Sequence, residues 1–222
     1  MKVIMISPHP DDEVLGCGGT ILRHINDGDS VVWIIATSVF VEHGFSSERV
    51  ESRRNEIIKV SNMLGFSKIY QLGFPTTQLS EIGEKRIINA VNDVFQKEQP
   101  EIIYLPNRTD AHSDHKMVFD AGMACSKSFR YHSIKKILMY ECLSETEFSS
   151  SLNEKGFRPD YFIDITPYFD KKIETMKIYA SELGEHPFPR SIKNIEALAT
   201  LRGAQAGVYY AEAFQLVKYI EK

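Results

Sequence analysis

The sequence predicts an α/β fold of the Rossmann-like kind, with a mostly parallel sheet and helices on both faces. Two observations carry this expectation. Short apolar runs rich in β-branched residues alternate with longer stretches of helical periodicity through the first two-thirds of the chain, and such alternation builds parallel strands joined by crossover helices. The unusual chemistry also gathers in loops that follow strands, where open parallel sheets place their sites.

Lys2 to Ser7 opens as an apolar strand, and Gly16 to Asp27 follows as a helix. Val31 to Thr37 is a buried strand rich in β-branched residues. Glu48 to Leu64 reads as a helix closed by Gly65, a common residue just past a helix end. Ile69 to Leu72 is a third strand, Glu84 to Lys97 a helix and Ile102 to Leu105 a fourth strand. From Ser113 to Phe129, Met117, Ala121, Ala124 and Phe129 recur at helical spacing, and Ile137 to Tyr140 is a fifth strand. The last third breaks the rhythm. It offers a short strand near Tyr161 to Ile165, a helix from Pro167 to about Glu182, a proline-containing loop from His186 to Arg190, a last helix, and a terminal strand from Ala213 to Tyr219. No repeat or linker divides the 222 residues, so one domain spanning 1–222, with a real hydrophobic core, is expected.

A hydrophobic fraction of 43% and a charged fraction of 25% are those of a soluble globular protein. A formal net charge of -4 argues against a nucleic-acid partner, since such domains carry a basic excess. Cys17, Cys125 and Cys142 form no close pair, which favours a reducing, cytoplasmic setting over a disulfide framework. The longest apolar run, Val31 to Val41, is interrupted by Thr37 and Ser38 and is too short for a transmembrane segment. The N-terminus lacks the shape of a cleavable signal.

Two short segments stand apart. Pro8-His9-Pro10-Asp11-Asp12-Glu13 follows the first strand. Three consecutive carboxylates beside an imidazole repel one another, and a divalent cation is the simplest compensation. His9 and Asp12 can face one cation and leave Asp11 free as a base. The competing reading is a solvated acidic turn that caps the next helix. Asp110-Ala111-His112-Ser113-Asp114-His115 follows the fourth strand. Its two histidines, spaced i and i+3, lie on one side of a helix start. Two histidines and two aspartates in six residues are hard to dismiss in a chain with 7 histidines. Together the loops supply His, Asp and His with a coordination position left open, the composition of a catalytic zinc site rather than a closed structural one. Such a cation lowers the pKa of water to about 7. Asp11 would take the proton, and a second imidazole would stabilise the oxyanion or protonate the leaving amine.

These residues resemble the PIG-L (LmbE-like) deacetylase family, whose marks are a P/A-H-P-D-D-E segment and a downstream H-x-D-H segment. Both occur without substitution, as Pro8–Glu13 and His112–His115. The likeness extends through Leu15 to Thr20, Arg53 and Glu56, Leu64-Gly65 and Leu105 to Asp110. It returns at Arg202-Gly203 and Ala211-Glu212-Ala213-Phe214. The resemblance implies metal ligation by His9, Asp12 and His115 and a general base at Asp11. It places oxyanion or leaving-group assistance on His112, and on Asp114 the tuning of the adjacent ligand His115. It also implies a substrate-contacting arginine in the second helix. Arg53 interrupts the stripe formed by Val50, Ile57, Val60 and Leu64, so it needs a partner. The active site is the natural one and a salt bridge to Glu56 the alternative, whereas Arg54 reads as solvated or as a support.

Other features are discounted. Gly16-Cys17-Gly18-Gly19-Thr20 lacks the lysine of a P-loop and the full dinucleotide fingerprint. Its glycines suit close approach of helix to sheet or metal loop, and Cys17 reads as a small buried cysteine. His24, His43 and His132 sit in helix or loop contexts and read as surface or core polar residues. His186-Pro187-Phe188-Pro189-Arg190 suits a substrate rim, a structural turn or an oligomer contact. Trp33 reads as core.

The expectation is a zinc-dependent N-deacetylase in which other divalent first-row metals are accommodated. Its implied substrate is a small-molecule amino-sugar conjugate bearing an N-acetylglucosamine-type amide, and the sequence leaves open whether His112 or Asp11 protonates the amine. Alternatives are a metal-dependent hydrolase of another amide or an ester, and a non-catalytic sugar- or nucleotide-binding protein on the same fold. Homo-oligomers are common in the family, and the apolar-aromatic tail could supply an interface. The loops Val39 to Ser47 and Glu145 to Phe157 are where the family varies its substrate.

Overall fold

The computed structural model describes residues 1–150 and 156–221. Its seven-stranded sheet runs in the order β3-β2-β1-β4-β5-β7-β6. The strands are β1 (Lys2–Ser7), β2 (Ser30–Ser38), β3 (Lys68–Pro75), β4 (Ile102–Pro106), β5 (Lys136–Tyr140), β6 (Tyr161–Asp164) and β7 (Ala211–Tyr219). β1 to β5 are parallel, as the sequence predicts. β7 runs antiparallel to β5 and to β6, which gives the sheet an antiparallel edge. Parallel neighbours need a crossover, usually a helix. After β5 the described residues up to 150 form turns and bends instead, and the parallel rhythm stops there.

The strands read as continuous apolar runs because both faces are covered. Val3, Met5, Val31, Trp33, Ile35 and Tyr104 pack on one side against α1 (Asp12–Asn26), α2 (Ser47–Leu64), α6 (Phe169–Met176) and α7 (Ile192–Ala206). Ile4, Ile6, Val32, Ile34, Ile103 and Leu105 pack on the other against α3 (Leu79–Ile82), α4 (Glu84–Glu98) and α5 (Ser113–Cys125). Trp33 is fully buried, as expected of a core residue, and its indole N–H donates to Ser7 Oγ at 2.8 Å.

Three helices differ from their predicted extents. α1 begins at Asp12 because the Asp11 carbonyl accepts from the N–H groups of Val14 and Leu15 at 3.0 and 2.9 Å. Asp12 and Glu13 thus lie in its first turn, where negative charge is favoured. α5 stops at Cys125, short of Phe129, which is exposed. α6 ends at Met176 rather than near Glu182, since Ile178 and Tyr179 donate three residues back, to Thr175 and Met176, and turn the chain toward α1 and α2.

Close approach explains two glycines of the first helix. A Cβ on Gly16 would stand 2.3 Å from Tyr140 Cδ2, and one on Gly19 would stand 2.6 Å from Ile165 Cβ. The same helix is gripped by a buried ion pair. Lys172 Nζ donates to Glu212 Oε1 at 2.6 Å and to the Leu15 carbonyl at 2.8 Å, while Glu212 accepts from the N–H groups of Gly19 and Thr20. Both side chains are nearly inaccessible. Removing one partner leaves the other uncompensated, so Lys172→Met is expected to lower unfolding free energy by about 3–5 kcal/mol, measured by urea denaturation. A loss below about 1 kcal/mol would show that the cation adds little to the grip on α1.

Candidate active site

The chain runs outward from β1 to β2 and β3, then returns to place β4 beside β1. β1 and β4 therefore flank a topological switch point, where the loops at their C-terminal ends part and leave a crevice. The β1 loop delivers Pro8 to Asp12 and the β4 loop delivers Asn107 to His115. His112 is the N-cap of α5, and its Nδ1 accepts the Asp114 N–H at 3.1 Å.

The structure brings His9, Asp12 and His115 together, with ligand atoms all within 4.8 Å of one another. Asp12 Oδ2 lies 3.3 Å from His9 Nδ1 and 3.4 Å from His115 Nε2. That His115 nitrogen is buried and has no hydrogen-bond partner among the described residues. Its other nitrogen, Nδ1, is held by Asp110 Oδ2 at 2.8 Å. An imidazole oriented by a carboxylate, with its far nitrogen aimed at a second carboxylate and a second imidazole, is the donor set a divalent cation takes. A second group, His9, His112 and Asp114, shares His9.

The orienting carboxylates differ from the expected ones. Asp114 does not reach the adjacent His115, because neighbouring residues on a helix do not face each other. Its Oδ2 lies 3.2 Å from His9 Nε2 and accepts the Thr77 N–H at 2.8 Å. The carboxylate on His115 is Asp110, anchored further by Asn107 Nδ2 at 2.6 Å and Thr146 Oγ1 at 2.7 Å. Asp110 was visible in the motif but carried no signal of which histidine it serves.

Burial opposes a charge on His9, but its hydrogen bonds to Asp114 and Asp12 win and hold it up to about 9. Burial likewise opposes the charge on His115, whose pKa the charge of Asp12 and the Asp110 hydrogen bond raise well above the ordinary histidine value. Asp12 sits well below the carboxylate range: burial works against it, and the charge of His115, with the charge of His9, outweighs that. Asp11 moves the other way. Burial pushes its carboxyl up to about 8, helped by the charges of Asp12 and Glu182 and opposed by Arg53. His112 is lowered by burial and by the charge of His9.

His9, Asp11, Asp12 and His112 line a cavity of about 490 Å³ whose apolar side includes Phe40, Phe45, Val50 and Ile57, a size and lining suited to a small organic ligand. Arg53 lies on its wall, where Nη1 donates to the Pro10 carbonyl at 2.7 Å, Nη2 pairs with Glu182, and Nε is 3.4 Å from Glu56. The site and the Glu56 salt bridge thus both hold this arginine. Arg54 is exposed at the same cavity. Glu182 also pairs with Arg49 and with Arg190 Nη2, the latter at 3.3 Å, so the proline loop does reach the rim. Sequence reasoning missed Glu182 and Glu145, whose Oε2 accepts the His112 N–H at 3.0 Å. Cys17 is fully buried and burial pushes its thiol pKa well up, which suits the inert reading. His24 has companions, Asp29 at 2.7 Å and Tyr104 Oη at 2.9 Å. Of the two candidate specificity loops, Val39 to Ser47 contributes to the cavity, and in the other residues 151–155 lie outside the described residues.

The chain is 28% identical to the diacetylchitobiose deacetylase of Thermococcus kodakarensis over 97% of its own length and 83% of the relative's. The solved N,N'-diacetylchitobiose deacetylase of Pyrococcus horikoshii, complexed with an inhibitor, superposes with a TM-score of 0.78 at 24% identity, covering 97% of this chain and 83% of that one. A 4-carboxy-2-hydroxymuconate hydratase from Pseudomonas putida shares the fold at a TM-score of 0.75 and 20% identity, covering 100% and 98%, so one architecture carries more than one chemistry. The family model described as PIG-L, GlcNAc-PI de-N-acetylase, matches residues 4–126, more than half of the chain and a span that contains both motifs, and the chain belongs to this family.

Proposed function

We propose that the chain is a metal-dependent N-deacetylase, with zinc as its metal, that hydrolyses the acetamide of an N-acetylglucosamine-type conjugate to a free amine and acetate. The observation that carries the reading is the unpartnered, buried His115 Nε2 beside Asp12 and His9, with Asp11 and His112 at the same cavity. His9, Asp12 and His115 would hold the cation. When bound, it supplies Lewis acidity, polarising a carbonyl and making water a stronger acid.

The remaining steps belong to side chains. Asp11 accepts the proton of the attacking water, and its raised proton affinity suits both taking that proton and returning it. With Nδ1 of His112 occupied as an acceptor, the neutral ring carries its proton on Nε2. His112 is lowered in pKa and therefore neutral near pH 7, so it serves as a hydrogen-bond donor to the developing oxyanion. Asp11 is then the group that protonates the leaving amine. Asp114 fixes His9, Asp110 fixes His115, and Arg53 presents a positive wall to the substrate.

The reading treats residues 1–222 as one deacetylase domain acting on a small-molecule amino-sugar conjugate. No helix among the described residues is long and apolar enough to cross a membrane. The three cysteines are buried and unpaired, in keeping with a reducing, cytoplasmic setting.

Metal content and acetate release, measured together against a panel of N-acetylglucosamine conjugates, test the proposal. Roughly one metal per chain is expected, with acetate release lost on chelation and restored by zinc. Bound metal without acetate from any conjugate would overturn the deacetylase and leave another amide, an ester or a hydration. Restoration by iron or manganese but not zinc would overturn the choice of metal.

A further inference from the structure

Glu13, the third acidic residue of the first motif, has no part in the chemistry above, yet it is fully buried. Its Oε2 accepts the N–H of Asp11 at 3.0 Å, and its Oε1 accepts the hydroxyl of Tyr179 at 2.7 Å. Tyr179 is fully buried too and comes from the turns that follow α6. The guanidinium of Arg53 lies over its ring, 5.4 Å from the centroid.

These groups hold a single peptide plane. The carbonyl of the Pro10–Asp11 peptide is taken by Arg53 and its N–H by Glu13. Asp11 has φ 134° and ψ -31°, a region that residues with a Cβ rarely adopt and keep only where the surroundings over-determine it. The orientation of that plane sets φ of Asp11, and φ sets the direction in which its carboxyl leaves the backbone. The metal-ligand set is braced separately: Asp12 Oδ2 accepts the His9 N–H at 2.8 Å, and Asp110 holds His115.

We propose that Glu13 and Tyr179 are positioning residues that lock the Pro10–Asp11 peptide against Arg53 and thereby aim the Asp11 carboxyl, serving turnover and not metal capture. This rests on the proposed role of Asp11 as base. A carboxylate suits the task because both of its partners are donors. Glutamine can still accept the Asp11 N–H with its carbonyl and donate its NH₂ to the tyrosine oxygen.

The test uses the zinc-loaded enzyme and four readouts: kcat, KM, zinc affinity by chelator competition, and hydrogen exchange of the Asp11 amide. Tyr179→Phe, which keeps the ring, is expected to lower kcat about tenfold. Glu13→Leu is expected to lower it roughly 10²-fold, the cost of an ångström-scale misplacement of a reacting group. KM and zinc affinity should stay near wild type, Glu13→Gln should recover most of kcat, and the Asp11 amide should exchange faster in Tyr179→Phe. Zinc affinity falling in step with kcat would overturn the proposal, as would an unprotected Asp11 amide with kcat unchanged. So would a loss of thermal stability with kcat per folded molecule intact. Absence of acetate release by the wild type would defeat the deacetylase reading instead, and the amide exchange would still decide whether the lock exists.

Discussion

Asp11→Asn is expected to lower kcat by about 10²–10⁴-fold, the range a positioned acid–base group supplies, while metal content stays at the wild-type level. His115→Ala is expected to lose the metal and the activity together. The contrast arises from the contacts of each side chain. Asp11 lies outside the His9, Asp12 and His115 group, and asparagine keeps its size while removing its charge and its capacity to take up a proton. His115 is wholly buried, with one nitrogen on Asp110 and the other facing Asp12, so alanine takes away a proposed ligand and one partner from each of two carboxylates. Metal analysis of the purified variants beside steady-state kinetics checks both. An Asp11→Asn enzyme with wild-type kcat would remove Asp11 from the mechanism, and His115→Ala retaining tightly bound metal would remove His115 from the ligand set.

Asp114→Asn separates the two orienting carboxylates. It acts on His9 through the 3.2 Å contact to Nε2 and leaves the Asp110–His115 pair in place. Its effect on metal affinity should therefore fall short of that of His115→Ala. Carboxylates that orient ligating histidines typically account for 10–100-fold in affinity or activity.

The five parallel strands and the two site loops were legible because their signals are local. Apolar runs, helical periodicity and a six-residue cluster of imidazoles and carboxylates are read within a short window. Long-range pairings were not. Asp114 meets a histidine 105 residues away rather than its neighbour, and nothing in the motif specifies that direction. Glu182 and Tyr179 were hidden for another reason. Helical periodicity carries the reader through to Glu182, whereas the helix stops at Met176, and only the turn beyond it brings those side chains to Arg53 and Glu13. α3 is four residues long, too short for any periodicity to register. The antiparallel edge depends on the connection that leaves β5, whose course composition does not reveal.

Metal affinity is expected to rise at least 100-fold between pH 6 and pH 8. In the metal-free site His9 is held at about 9 and so carries its proton across this range, and His115 is shifted in the same direction, well above its ordinary value. Asp12 lies well below the carboxylate range and stays ionised throughout. A cation needs the neutral imidazole and must displace the proton, so apparent affinity climbs about tenfold per pH unit for each proton released. The sign is fixed by the raised pKa values: protons compete most strongly at low pH, and the His9 contribution levels off above about 9. One displaced proton gives the 100-fold change over two units, and two give about 10⁴-fold. Competition against a chelator of known pH behaviour at pH 6, 7 and 8 measures the slope, and calorimetry in buffers of different ionisation enthalpy counts the protons. The hydrogen bond to Asp114 is the largest influence raising His9, so in Asp114→Asn the His9 contribution should level off at a lower pH than in the wild type. A pH-independent affinity would mean that both imidazoles are neutral before metal arrives, and that the Asp114–His9 and Asp12–His115 pairs do not carry the charge their geometry implies.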